Sequence, residues 1–184
     1  MNKKILLAGP QGYLGSRLTD YLQEYGYECV GTDIGFFQYG VLYYPKSVPV
    51  LNKDARTLTE EDIEGFDVVL LLAGISNDPF GNLTSEAIYD PTRVYANRIA
   101  KMCKNQGIRY IFPSSCSVYG IGDGLLNEDS RVNPQTPYSL NKVQIEEDLA
   151  ELADSSFSPI ALRLATVFGA SPRMRFDIVI NMLC

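Results

Sequence analysis

The 184 residues include 46% apolar side chains, enough for one compact domain built around a sheet, and the formal charge of −6 has no Lys/Arg cluster denser than pairs. That charge leaves no electrostatic footprint for nucleic acid or an anionic membrane surface. With no histidine in the chain, Ser-His-Asp triads, Cys-His dyads and histidine-based metal sites are excluded, no metal is expected, and acid–base chemistry falls to Tyr, Lys, Asp, Glu or Cys.

The opening "MNKKILLAGP" carries an apolar run too short for the ~7–15 residues of a signal-peptide core, and is predicted to form a strand over 4–9. A helix follows over 13–25, then a strand over 28–33 and an irregular stretch over 34–50. Further strands are predicted over 67–73, 109–115 and 159–165, with helices over 85–106 and 138–153. The run "VVLLLAGI" falls far short of the ~18 apolar residues of a membrane span, so a cytoplasmic protein with no membrane partner is expected. Strands that are apolar throughout and alternate with helices predict a doubly wound α/β fold with a parallel sheet of Rossmann type. Cys29, Cys103, Cys116 and Cys184 lack C-x-x-C spacing and read as reduced thiols.

Between the first strand and first helix, "AGPQGYLG" places Gly9, Gly12 and Gly15 three residues apart. Glycines there permit a tight turn, close approach of backbone to a diphosphate, and close packing of helix on strand. Asp33 ends the second strand, about 20 residues beyond the turn, where a carboxylate accepts hydrogen bonds from an adenosine ribose and repels a 2′-phosphate. This favours NAD over NADP; the alternative is a turn-forming Asp before Gly35.

"TPYSLNK" sets Tyr138 and Lys142 on one face at the start of a helix. An ammonium there would depress the phenol pKa from ~10 toward neutrality, as a general base acting on an alcohol requires. "FPSSCSVYG" brings hydroxyls to the carboxyl end of a strand, where parallel sheets bind ligands. In "SPRMRFD", Arg173 and Arg175 are candidate clamps for a diphosphate, or partners of Asp177.

The glycine turn, Asp33, "LLAG", "SSCSVYG", "PYSLNK" and "RLATVFG" in this order resemble the extended short-chain dehydrogenase/reductases, specifically the NAD-dependent nucleotide-sugar epimerase/dehydratase family. The resemblance implies Tyr138 as catalytic base and acid, Lys142 as holder of the nicotinamide ribose, and Ser115 as hydrogen-bond partner of the reacting oxygen. It implies a cofactor lining of Gly9, Gln11, Gly12, Tyr13, Leu14, Asp33, Ile34, Asp54, Ala55, Leu72, Ala73, Gly74, Ser76 and Ala165. Asn97 matches a helix asparagine placed behind the active site, or is an exposed polar residue. Ser76, Ser117, Thr166, Arg173 and Arg175 are implied near a nucleotide-sugar substrate, and helices 85–106 and 138–153 resemble those that pair subunits in a homodimer.

Dehydratases of this family carry an Asp-Glu pair after the catalytic Ser/Thr; Cys116 and Ser117 stand there instead, which favours epimerisation or simple oxidoreduction. Cys116 is expected to be a buried small side chain rather than an acid–base group, because its register differs from that of the catalytic cysteine in 3,5-epimerising relatives. Family members continue into a smaller region that closes over the sugar nucleotide, so residues 1–184 are expected to be the NAD-binding domain, ending where the substrate region begins. A non-catalytic dinucleotide-binding module is the alternative.

Overall fold

A computed structural model describes residues 3–75, 84–122 and 124–183. In chain order the elements are β1 (Lys4–Ala8), α1 (Tyr13–Glu24), β2 (Glu28–Asp33), β3 (Val50–Asn52), α2 (Glu60–Ile63), β4 (Val68–Leu71), α3 (Ser85–Gln106), β5 (Arg109–Ser115), α4 (Pro137–Leu152), β6 (Ile160–Leu164) and α5 (Val179–Leu183), with 3₁₀ turns at Ala55–Thr57 and Cys116–Tyr119. The strands form one six-stranded sheet, β3-β2-β1-β4-β5-β6, in which every pairing is parallel.

The continuous apolar runs are explained by burial on both faces. Along β1, Leu6 and Ala8 face a cluster with Val69, Leu71, Ile99, Tyr110, Phe112 and Ile145. Ile5 and Leu7 point the opposite way, into a cluster with Cys29, Val68 and Leu70 against Leu18 and Leu22 of α1. Alternation in direction without alternation in polarity marks a strand covered twice.

Chain order reverses at β1, which pairs with β2 on one side and β4 on the other. A crevice therefore opens beyond the carboxyl ends of β1 and β4. Local sequence sets the helices around it. Thr84 caps α3 by accepting from the Ala87 amide, and Gly107 ends it in the left-handed region at φ 68°. Thr136 and Ser139 form a reciprocal cap on α4, with Pro137 in the first turn.

The expected class of fold is present, with shorter strands at 68–71 and 160–164. Two elements were not expected. β3 is three residues on the sheet's edge, paired with Gly31–Asp33 of β2, and α2 is a single four-residue turn closed by a Thr59/Asp62 capping box. Both are too short to show a hydrophobic period.

Candidate active site

The glycine turn is held by its neighbours. Gly9 N–H donates to Thr32 O at 2.9 Å, and the Leu72 and Ala73 amides both donate to Ala8 O at 2.8 and 2.7 Å. Gly9 has φ 94°, and a Cβ there would lie 2.8 Å from Ala73 N. A Cβ on Gly15 would lie 2.0 Å from Gly9 O, so helix and strand approach only because both residues are glycine. Gly12 differs: a Cβ there meets only Gly9 O, at 3.6 Å. Its bare backbone leaves open space at the start of α1, where among the described residues no side chain caps the helix. First-turn amides without a capping side chain, beside a glycine with room above it, fit the diphosphate of a dinucleotide. Gln11 contributes a buried Oε1 that has no partner among the described residues.

Asp33 forms the turn before Gly35 and is also tied to the glycine turn. Its Oδ1 accepts from Gly35 N–H at 3.0 Å, shaping the turn, and its Oδ2 accepts from Gln11 N–H at 3.1 Å, fixing the carboxylate beside the glycines. Ile34 is exposed next to it. Beyond β3, Asp54 caps the short turn and pairs with Arg56 at 2.6 Å; that hydrogen-bonded guanidinium holds its carboxyl below the usual range, against some burial. Ala55 is core. On the other side of β1, Leu72, Ala73 and Gly74 follow β4, with Tyr95 Oη donating to Ala73 O at 2.8 Å. Ser76 lies outside the described residues.

Ser115, Tyr138 and Lys142 come together across the end of β5. Ser115 Oγ accepts from the Ser117 amide at 3.2 Å and bonds its hydroxyl at 2.9 Å. Lys142 Nζ donates to Pro113 O at 2.6 Å and stands 4.2 Å from the Phe112 ring centroid and 5.5 Å from that of Tyr138. The Tyr138 ring meets Tyr89 edge-on at 6.1 Å.

The direction of the Tyr138 shift corrects the expectation of a depressed phenol. Burial pushes it above its usual value, outweighing the Ser115 hydroxyl and the Arg175 charge, which both lower it; the neighbouring Tyr89 and Cys116 also raise it. Burial acts on Lys142 in the opposite sense, pulling its amine down to about 8 against the Glu146 carboxylate. The amine spends its short hydrogen bond on Pro113 O rather than on the phenol.

The base of α4 is anchored by contacts that no local motif announced. Ser114 Oγ hydrogen-bonds Glu146, and Arg163 on β6 binds the same carboxylate at 2.7 Å while donating to Tyr119 Oη at 3.0 Å. The interactions of Ser114, Arg163 and Lys142 with these partners fix α4 against β5 and β6, and so fix the height of Tyr138.

Cys116 is exposed beside Ser115, not buried as expected: the strand ends at Ser115, and the following 3₁₀ turn breaks the alternation on which that expectation rested. Ser117, Ala165 and Thr166 are exposed at the carboxyl edges of β5 and β6. Arg175 acts electrostatically on both Tyr138 and Tyr13, which puts it at the crevice, and it pairs with Asp177 at 2.5 Å. Arg173 lies 4.3 Å over the Phe37 ring. Asn97 does not join this group. Its Nδ2 donates to Asp148 of α4, beside the Arg93–Asp148 ion pair, because at its place on α3 the helix faces α4.

The parallel sheet thus gathers a glycine turn, an acid after β2 and a Ser/Tyr/Lys group at one crevice. Residues 5–183 match the NAD dependent epimerase/dehydratase family, and the chain belongs to it. It is 30% identical over 98% of its length to an uncharacterized UDP-glucose epimerase of Bacillus subtilis (strain 168), covering 61% of that protein. It is 27% identical to the N-acetyl-alpha-D-glucosaminyl-diphospho-ditrans,octacis-undecaprenol 4-epimerase of Escherichia coli O157:H7, over 94% of this chain and 51% of the relative. Among solved structures it resembles MoeE5 in complex with UDP-glucuronic acid and NAD, with a TM-score of 0.81 and 27% identity over 98% of this chain and 60% of that one. The chain thus spans between about half and three fifths of the length of these relatives.

The Lys142 shift has a consequence for stability. With a folded value of about 8 against 10.5 for the free amine, the unfolded chain binds more protons between these pH values, so stability rises with pH across that window. Between pH 8 and 10 the gain is roughly 2 kcal/mol, and urea denaturation should show Lys142→Met lacking that rise.

Proposed function

We propose that this chain is the cofactor-binding part of an NAD-dependent nucleotide-sugar epimerase, acting in the cytoplasm on a UDP-linked sugar. The observation that carries the reading is the convergence of Ser115, Tyr138 and Lys142 at the same sheet edge as the glycine turn and Asp33. The UDP-glucose epimerase name of one relative, and the UDP-glucuronic acid and NAD in complex with MoeE5, support the cofactor and the substrate class. The free thiols of Cys29, Cys103 and Cys116 suit a reducing compartment.

Bound NAD supplies a hydride acceptor and donor. Gly12 and the first-turn amides of α1 hold its diphosphate, and Asp33 selects the unphosphorylated ribose. Ser115 Oγ holds the oxygen of the reacting sugar hydroxyl, and Tyr138 Oη takes its proton as the carbon is oxidised, then returns it after the sugar has turned. Arg175 supplies positive charge that favours the phenolate against the burial that opposes it, and Lys142 stands beside the ring, its Nζ 5.5 Å from the centroid. Cys116 and Ser117 offer no carboxyl pair to eliminate water, so the ketone is reduced again rather than dehydrated. Arg173 and Arg175 take the diphosphate of the substrate in this reading, as guanidinium forks suit its oxygens.

The decisive experiment is interconversion of UDP-glucose and UDP-galactose followed by NMR with NAD present. Tyr138→Phe should lower turnover by about 10²–10⁴-fold, the worth of a positioned acid–base group, while calorimetry shows NAD still bound. Wild-type turnover in that variant removes the proton-transfer role.

We further infer a homodimer through α3 and α4, where Val94 and Leu140 are exposed on the two packed helices. Sedimentation equilibrium should give a dimer that Val94→Asp converts to a monomer; a monomeric wild type contradicts the inference.

A further inference from the structure

We infer that Tyr13 is a positioning residue that couples dinucleotide occupancy of the glycine turn to the segment carrying Arg173 and Arg175. The inference rests on the reading above, in which the turn takes the NAD diphosphate and the arginines take that of the substrate.

Tyr13 faces both ways. Its backbone is the first residue of α1, in the amide cradle next to Gly12. Its hydroxyl reaches out of the turn and donates to Gly169 O at 2.8 Å, while accepting from Asn181 Nδ2 at 3.1 Å. Asn181 is buried and closes a ring: its Oδ1 accepts from Gly169 N–H at 2.9 Å, and its Nδ2 also donates to Arg175 O at 3.0 Å. One phenol is thereby one residue removed from the backbone of the arginine that faces Tyr138.

A second tether runs through the same residue. Ser171 Oγ donates to Tyr13 O at 2.7 Å and lies 3.0 Å from Ser16 Oγ, with both serines buried. The loop after Asp33 adds a third, through Leu42 N–H to Pro172 O at 2.8 Å and Arg173 stacked on Phe37. The segment 169–181 is thus clasped by the parts of the cofactor site proposed to hold the diphosphate and to follow the adenosine ribose. A phenylalanine at position 13 would fill the same space; only the tether needs the hydroxyl. Because such coupling is reciprocal, whatever fixes the first turn of α1 also fixes the arginines, and the substrate in turn favours the bound cofactor.

The test is amide hydrogen exchange at Gly169 and Leu42 with and without saturating NAD, in the wild type, Tyr13→Phe and Asn181→Ala, with NAD occupancy checked by calorimetry. NAD should slow exchange at both amides in the wild type by about fivefold or more, the lower end of coupling between sites, and this increment should vanish at Gly169 in both variants. A purely structural role would speed exchange equally with and without NAD and leave the increment intact. The inference is overturned if NAD leaves wild-type exchange unchanged, or if the increment survives in Tyr13→Phe. Failure of the wild type to bind NAD, read directly by calorimetry, would overturn the cofactor site itself and the coupling with it.

Discussion

The site depends on a contact that leaves no room for a side chain: the first turn of α1 against the end of β1, where Gly15 lies over the carbonyl of Gly9. This approach lets α1 start immediately beyond the strand, with its amides at the reversal point of the sheet. β2 then delivers Asp33 to the Gln11 amide, and β4 delivers Ala73 against Gly9. A Cβ at Gly15 would push the helix away and separate these groups together, since a packed interior has no spare volume to absorb the shift.

At the other side of the crevice the chemistry is set by burial and its compensation. Tyr138 and Lys142 are shifted in opposite directions by the same loss of water, each toward its neutral form. The Arg163–Glu146 pair and Ser114 brace the helix on which both sit. The cost of holding a phenol and an amine out of water is met by a rigid support that keeps the phenol's hydroxyl beside Ser115 rather than in solvent.

What could be read from the residues alone follows the range of the interactions. The glycine turn and the four-residue step from Tyr138 to Lys142 are local, so their spacing announced the elements and the side of the crevice that each lines. Asn97 and Cys116 were legible only as residue types. The direction of Asn97 depends on the packing of α3 on α4, and that of Cys116 on a 3₁₀ turn after β5. The raised pKa of Tyr138 reflects water removed by several segments at once, and the link from Tyr13 to Asn181 spans most of the chain; neither leaves a spacing to find. β3 is assigned through its pairing with β2, which three residues cannot signal by themselves.

Gly12 isolates the contact through which the open side of the glycine turn would receive the cofactor diphosphate. Its φ of −78° suits any residue, and an added methyl meets only one protein atom, at an ordinary 3.6 Å. Calorimetric titration of NAD into Gly12→Ala, with unfolding followed alongside, is the direct measurement. Wild-type stability is expected with NAD affinity reduced about tenfold or more, since the methyl stands where backbone and phosphate must meet. Wild-type affinity in that variant would contradict it.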